Sequence, residues 1–171
     1  MSTFLTEQIF NKDIYINPVD LNIYLKENIH KKLINSIEKK CNEIGYVLEN
    51  SIQIVNKSTG KFININGHNH IKYNITYKCK LLVPTIGEKI NCYINDITDA
   101  GIIAYVKIKD YINEYDDNEF NNTPIICILP YSRFNNIKQL EIGKKLEIKI
   151  TAIRQKYNQS NIQIIGSPLD V

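Results

Sequence analysis

The side chains that most often perform catalysis or bind metals are scarce in this sequence. Two of its three histidines, His68 and His70, are spaced so that they would share one face of a strand. They have no third ligand nearby, so an exposed loop role is favoured over a metal site. Two pairs of carboxylates stand in predicted turns: Asp96 with Asp99, and Asp116 with Asp117. Neither pair has a base or nucleophile beside it, and a hydrolase using Asp96 and Asp99 is the weakest hypothesis that we consider.

Sequence motifs for phosphate binding and nucleophilic catalysis are also absent. The chain contains no GxxxxGK[ST] loop, no GxGxxG after a strand, no GxSxG and no HExxH. The four cysteines lie singly in apolar patterns, without a CxxC pair, and we expect them to be reduced core residues: Cys41, Cys79, Cys92 and Cys127. The sequence therefore predicts a protein that is not an enzyme and has no cofactor or metal.

Aromatic and cationic residues in the C-terminal half suggest a binding module instead. Aromatic rings stack on bases and cations follow phosphates, so such residues at outward positions of a small barrel would suit single-stranded RNA. The candidate RNA-binding residues are Tyr93, Tyr105, Lys107, Tyr131, Arg133, Arg154 and Lys156. The alternative is that the tyrosines pack at barrel edges, as amphipathic rings often do.

Length and composition are those of an ordinary globular protein. At 171 residues and 19.8 kDa, with 43% hydrophobic and 23% charged residues, the chain suffices for one domain or two small ones. No apolar run approaches the roughly 20 residues of a membrane span, and the first residues do not resemble a secretory signal. We therefore expect an intracellular protein with no membrane partner.

Charge is distributed in blocks along the chain, although the net charge is only +3. Residues 50–87 contain no carboxylate but several lysines, residues 96–119 are acidic, and residues 133–156 are basic. Such blocks suggest surfaces for different partners. The alternative is a set of solvated faces in a lysine-rich protein.

The first half of the chain predicts an α+β domain over residues 1–83. A short strand over residues 9–16 precedes Asn17-Pro18, which is typical of a helix start. Apolar residues then recur every four positions and predict one long amphipathic helix that ends near Gly45: Leu21, Leu25, Ile29, Leu33, Ile37 and Cys41. Over residues 71–83, apolar residues at odd-numbered positions alternate with polar or basic residues from Lys72 to Lys80, which predicts a strand of an antiparallel sheet.

The second half, residues 84–171, predicts an all-β domain. Five short strands are expected over residues 89–97, 102–108, 125–129, 146–153 and 162–165. The tight turn at residues 99–101 joins the first two strands. This number and spacing of strands indicate a small closed barrel such as the OB-fold.

The order of these elements and several segments resemble a known family. The segments are Ile14-Tyr-Ile-Asn-Pro18, Ile37-Glu-Lys-Lys-Cys-Asn-Glu-Ile-Gly45, the strand at 71–84, Gly87 to Gly101, Leu129-Pro-Tyr-Ser132 and Ile142 to Arg154. Over residues 14–169 the chain resembles the stalk subunit of multisubunit DNA-directed RNA polymerase. That family comprises the seventh-largest subunit of eukaryotic polymerase II, its archaeal counterpart and their paralogues. The amino-acid composition, rich in Lys, Ile and Asn and poor in Ala, is typical of an AT-rich genome. This composition and the opening residues are also similar to forms encoded by large DNA viruses.

The resemblance implies a non-catalytic subunit that acts in transcription and its initiation. Its N-terminal tip domain would dock on the two largest polymerase subunits near the clamp, and its OB domain would guide nascent RNA. Residues 56–70, here called the tip segment, correspond to the docking region. The docking residues that the resemblance implies are Lys57, Ser58, Thr59, Gly60, Lys61, Gly67, His68 and His70.

Partners and location remain open within this resemblance. In the family a smaller fourth subunit clasps the stalk protein, so a partner of that kind is a further expectation. The expected location is the nucleus for a cellular protein, and the host cytoplasm or virion for a viral one. Three positions depart from the family pattern of aromatics and histidine: Ala100, Ile103 and Pro130. The alternative hypothesis is a free RNA-binding adaptor with no attachment to a polymerase.

Overall fold

The computed structural model describes residues 4–112, 120–134 and 140–169. Its helix and strands, in chain order, are β1 (Leu5–Ile16), α1 (Leu25–Ile37), β2 (Tyr46–Val47), β3 (Gln53–Lys57), β4 (Lys61–Ile65), β5 (His68–Leu82), β6 (Lys89–Thr98), β7 (Gly101–Tyr105), β8 (Ile125–Leu129), β9 (Lys145–Arg154) and β10 (Ile162–Pro168). The chain divides into two compact units. The sheet unit comprises residues 6–38 and 47–81, and the barrel unit comprises the described residues of 1–5, 39–46 and 82–171.

The sheet unit is organised around the long strand β5. Strand β1 pairs with β5, which also pairs with β2, β3 and β4. The predicted alternation along β5 is confirmed, since one set of side chains is buried: Tyr73, Ile75, Tyr77, Cys79 and Leu81. Helix α1 contributes Ile29, Leu33 and Ile37 to the core from positions four residues apart. The predicted α+β organisation of this region is therefore present.

The opposite face of β5 carries lysines, as the alternation predicts, but two of them are paired. The Lys72 ammonium lies 2.7 Å from a carboxylate oxygen of Asp13, and the Lys78 ammonium lies 3.5 Å from that of Glu7. Both acids come from β1, outside the carboxylate-free stretch of sequence. The cationic character of this face is thus partly neutralised by its neighbouring strand.

The predicted long helix is wrong at both ends. Asn17-Pro18 begins only a short 3-10 turn over Pro18–Asp20, and the α-helix does not start until Leu25. At the other end Glu38 has an extended backbone and Lys39 has a positive φ of 57°, which stops the helix after Ile37. A four-residue apolar spacing continues through Cys41, yet the backbone has already turned away.

The barrel unit is a closed barrel of five strands in the order β10–β8–β7–β6–β9. Strands β10 and β8 are parallel, and every other neighbouring pair is antiparallel. Because β9 returns to lie beside β6, the strands β6 to β9 follow a Greek-key path. The predicted strands are confirmed with shifts at their ends. The largest shifts are three residues, in β7, which ends at Tyr105 rather than near residue 108, and in β10, which ends at Pro168 rather than at residue 165.

The interior of the barrel is filled by aliphatic side chains and thiols. Alternate residues of its strands are buried, as in Ile90, Cys92 and Ile94 of β6, or Ile125, Cys127 and Leu129 of β8. The prediction that all four cysteines lie in the core is confirmed, and all four are free thiols. The turn between β6 and β7 requires Gly101, because a Cβ atom there would lie 2.8 Å from the Leu129 carbonyl oxygen.

Candidate nucleic-acid interface

An aromatic–lysine cluster occupies the outer surface of the barrel unit where β6, β7 and β9 meet. Its members are Tyr93, Tyr105, Lys107, Asp110, Phe120 and Lys145. Tyr93 stands opposite Tyr105 in the β6–β7 ladder and opposite Lys145 in the β6–β9 ladder. The register of three strands, rather than any local motif, therefore brings these side chains together.

The rings and ammonium groups of this cluster contact one another directly. The centroids of the Tyr93 and Tyr105 rings are 6.0 Å apart, and the Lys107 ammonium lies 4.0 Å from the Tyr93 centroid. Phe120 meets Tyr105 edge to face with centroids 5.9 Å apart. A cation over a tyrosine face is a favourable electrostatic contact. The predicted grouping of Tyr93, Tyr105 and Lys107 is thus observed, although whether the cluster binds RNA stays a prediction.

Asp110 anchors the polar side of the cluster. The Tyr93 hydroxyl donates a hydrogen bond of 2.8 Å to its carboxylate, and the Lys145 ammonium lies 4.0 Å from the same oxygen. Burial, followed by the hydrogen bond and charge of Asp110, raises the pKa of Tyr93 to about 12. Tyr93 is therefore a neutral hydrogen-bond donor at physiological pH. The cluster contains two ammonium groups, those of Lys107 and Lys145, and one carboxylate, that of Asp110, so its net charge is positive.

Tyr131 and Arg133 follow β8 in a short 3-10 turn. The Tyr131 hydroxyl donates a 2.6 Å hydrogen bond to the Thr98 carbonyl oxygen, so this half-buried ring braces the β6–β7 turn. Arg133 is exposed. The contact made by Tyr131 matches the alternative that tyrosines pack at barrel edges.

Arg154 and Lys156 lie at the end of β9 and in the loop to β10, and both are exposed. That loop is held by residues 39–46 of the same unit. The Cys41 amide donates to the Gln159 carbonyl oxygen at 2.7 Å, and the Asn158 amide donates to the Cys41 carbonyl oxygen at 2.7 Å. The loop backbone is therefore engaged by the chain itself.

Beyond Tyr105, which belongs to the aromatic–lysine cluster, the outward face of β7, β8 and β10 carries mainly isoleucines and no cation pair. Ile103 pairs with Ile128 across β7 and β8, and Ile128 pairs with Ile165 across β8 and β10. Ile128 and Ile165 are each about 40% exposed, at 41% and 40%. These three isoleucines form a row over adjacent strands that has no cation or stacking ring within it.

The tip segment lies in the sheet unit, in β3, β4 and the start of β5. Lys57 places its ammonium 4.6 Å from the centroid of the Tyr73 ring. Ser58 is tied to β5, because its amide donates to the Asn74 carbonyl oxygen and its hydroxyl accepts from the Asn74 amide, both at 2.9 Å. Thr59 and Lys61 are exposed. The four residues thus lie in an ordered connection between two strands.

Glycines and histidines of the tip segment have distinct settings. A Cβ atom on Gly60 would lie 2.7 Å from the Ile71 side chain, whereas Gly67 stands in open space with a φ of 84° in the β4–β5 turn. His68 is exposed and His70 half-buried, two residues apart on β5. Among the residues that the structure describes, no cluster of three or more His, Cys, Asp or Glu side chains is placed to hold a metal.

Sequence reasoning missed several residues of both surfaces. Lys145, Asp110 and Phe120 complete the aromatic–lysine cluster, but their pairing depends on strand register and on a 3-10 turn. In the tip segment, Phe62 on β4 is 68% exposed. An aromatic residue between Lys61 and Ile63 was the available signal, and its outward direction is visible only in the fold.

Comparison with known proteins does not supply a family for this chain. No protein-family model matches it, and no curated protein matches its sequence significantly.

In the described residues, none of the helices has the length and hydrophobicity needed to span a membrane. The burial of the thiols also argues against a cysteine nucleophile, since burial raises the pKa of Cys41 and of Cys79 to about 11.

Proposed function

We propose that this chain is a non-catalytic stalk subunit of a DNA-dependent RNA polymerase, which docks on the polymerase core near the clamp and guides nascent RNA. The observation that carries the proposal is the order of the two structural units along the chain. A sheet unit with one helix supplies most of residues 6–81, and a closed Greek-key barrel follows it. This is the order that the resemblance over residues 14–169 implies.

The proposal includes an OB-fold as the barrel unit. Five strands on a Greek-key path are features of that fold, and the order β10–β8–β7–β6–β9 supports this part of the proposal. OB-folds commonly bind single-stranded nucleic acids with a groove of cations and stacking rings. The aromatic–lysine cluster provides both kinds of group on the barrel surface.

The tip segment supports the docking half of the proposal. Strands β3 and β4 are exposed along nearly their whole length, and they display Lys57, Lys61 and Phe62. An exposed aromatic side chain beside lysines suits a protein interface better than a solvated surface, because aromatic anchors carry much of the energy of such interfaces. The partner would be the two largest polymerase subunits.

Affinity purification of the tagged protein from its native cells tests this function directly. Mass spectrometry is expected to identify the two largest polymerase subunits, and it would also reveal a fourth-subunit partner. Recovery of neither large subunit, in extracts where the polymerase itself is intact, would contradict the proposal.

A free single-stranded RNA-binding adaptor is the second candidate, favoured by the net positive aromatic–lysine cluster. Charge reversal separates the two candidates. Lys57→Glu with Lys61→Glu should abolish polymerase recovery if the tip segment docks, and should leave the function of a free adaptor intact. Lys26→Glu with Lys31→Glu, at exposed positions of α1, changes the net charge equally and serves as the matched control.

A further inference from the structure

We propose that single-stranded RNA crosses the barrel unit along the outward face of β6 and β9, with its phosphates held by two pairs of lysines. The pairs are Lys89 with Lys149, and Lys107 with Lys145. This inference rests on the proposed function, because it assigns a path to the RNA that the stalk subunit would guide. We call this surface the β6–β9 stripe.

The register of the two strands creates the stripe. In the antiparallel β6–β9 ladder, Lys89 stands opposite Lys149 and Tyr93 opposite Lys145. All of these side chains alternate with buried neighbours and therefore point away from the barrel interior. Lys149 lies four positions beyond Lys145, which is about 13 Å along a strand. Between the two lysine pairs the same outward face carries Glu147 opposite Asn91, so the stripe has one carboxylate at its centre and the phosphates would be held at its two ends.

The charges at the far end of the stripe are unfavourable without a ligand. Like charges directly opposite each other in a ladder destabilise a sheet, because their side chains are close neighbours. Lys89 and Lys149 are both exposed, and within the described parts of the chain neither has a carboxylate at salt-bridge distance. A bound phosphate would turn this repulsion into attraction.

At the other end of the stripe the chemistry suits a nucleotide in particular. Lys107 and Lys145 flank the Tyr93 ring, at 4.0 Å and 5.9 Å from its centroid. If Lys107 swings to a phosphate, it uncovers the Tyr93 face for a base. Rings and cations side by side are the combination with which proteins bind single strands, whereas an acidic peptide would use only the cations.

Two other barrel surfaces are less suited to RNA. The outward face of β7, β8 and β10 presents the row of Ile103, Ile128 and Ile165, which offers no charge to a phosphate. The β9–β10 loop is engaged by residues 39–46 through the hydrogen bonds of Cys41. In OB-folds these two places commonly form the nucleic-acid surface. Because one of these surfaces is apolar and the other is engaged within the chain, the β6–β9 stripe is the better cationic surface for RNA.

Binding of a labelled 12-nucleotide oligouridylate to the full-length protein, measured by fluorescence anisotropy across a salt series, tests the path. Lys89→Gln with Lys149→Gln should weaken binding on the order of 25-fold near 100 mM salt and reduce the log–log salt slope by about 1.4, the share of two phosphate contacts on a single strand. Lys26→Gln with Lys31→Gln, at exposed positions of α1, removes the same charge and should change affinity less than about threefold, since those residues lie in the sheet unit and off the stripe.

Each contrary outcome has a definite meaning. Equal losses in the two double variants would overturn the inference, because only net charge would then matter. Absence of binding by the unmodified protein would overturn it too, as would displacement of the RNA by polyglutamate at equal charge concentration. Polymerase recovery by the Lys89→Gln, Lys149→Gln protein is measured in parallel. If the double variant recovers polymerase and binds RNA as tightly as the unmodified protein, the stripe is excluded as the RNA path and the proposed function stands. If the unmodified protein recovers no polymerase, the proposed function is contradicted, whatever the RNA-binding result.

Discussion

The two units of this protein differ in how their strands are paired and in how far their apolar side chains are exposed. In the barrel unit, closure gives every strand two neighbours, so the backbone groups of its strands are paired and most of its aliphatic side chains face inward, with Ile128 and Ile165 among the exposed exceptions. In the sheet unit, β3 and β4 each pair with β5 and display side chains such as Val55 and Phe62 to solvent. Large exposed apolar side chains together usually mark an interaction surface. The barrel buries most of its aliphatic residues, whereas β3 and β4 leave Val55 and Phe62 more than half exposed.

The two units also differ in whether their surface lysines are paired with carboxylates. Lysines on β5 of the sheet unit are paired with carboxylates of β1, whereas Lys89 and Lys149 of the barrel unit face each other. Paired surface charges satisfy one another and leave little for a ligand. Charge alone therefore does not identify a binding face, and the pairing of each lysine must be examined.

The largest expected effect is on the barrel core. Ile164→Ala removes a side chain that is 0% exposed, and loss of its burial together with the cavity left behind should lower the free energy of unfolding by about 2–5 kcal/mol. Ile165→Ala, one residue further along β10 and 40% exposed, is the matched control and should cost less than about 1 kcal/mol. Urea denaturation measures both. Similar costs at the two positions would show that the barrel is not closed around its inward residues.

A smaller difference is expected between two turn glycines. Gly101→Ala places a Cβ against the Leu129 backbone at a φ of 145°, and should destabilise the protein by about 2–3 kcal/mol. Gly67→Ala has a φ of 84° but open space around it, and should cost only about 1 kcal/mol. Thermal unfolding of both variants checks the order. A greater loss for Gly67→Ala would contradict the view that the barrel is the more tightly packed unit.

Phe62 should separate interaction from stability. Phe62→Ser removes a ring that is mostly exposed, so the unfolding free energy should change by no more than about 0.5 kcal/mol. Recovery of polymerase should nevertheless fall several-fold, because the docking surface loses its aromatic anchor. Ile9→Ser on β1, outside the tip segment, is the control and should recover polymerase normally. Unchanged recovery by the Phe62 variant would remove this residue from the docking surface.

The smallest effect concerns the ion pair on β1. Hydrogen bonds from Lys72 and then Asn74 lower the pKa of Asp13 from its ordinary value of 3.8. Since the folded pKa lies below the unfolded one, this contribution to stability is present above pH 3.8 and is lost as the pH falls through the folded pKa. NMR titration should give a midpoint below 3.8 for Asp13. In a Lys72→Gln variant the midpoint of Asp13 should rise. An unchanged midpoint would show that Lys72 does not cause the lowered pKa of Asp13.

The barrel could be predicted from the sequence largely because its strands are short and alternate regularly. The β8 prediction, residues 125–129, agrees with the observed Ile125–Leu129, and β6 differs by one residue at its end. The helix could not be predicted as well. Apolar spacing continues beyond Ile37, but the positive φ of Lys39 and the hydrogen bonds of Cys41 within the barrel unit override it. Periodicity predicted the burial of Ile29, Leu33, Ile37 and Cys41 correctly, but Leu21, at the start of the same pattern, is 41% exposed.

The candidate site divides in the same way. Local spacing along the chain predicts the alternation of its strands, the positions of its turns and the presence of outward rings and lysines in its second half. The fold adds contacts that local spacing does not contain: Tyr93 meets Lys107 and Lys145, Lys89 faces Lys149, and Lys72 is paired with Asp13. The physical reason is strand register, which joins residues far apart in the chain and is set by how whole strands pair and pack.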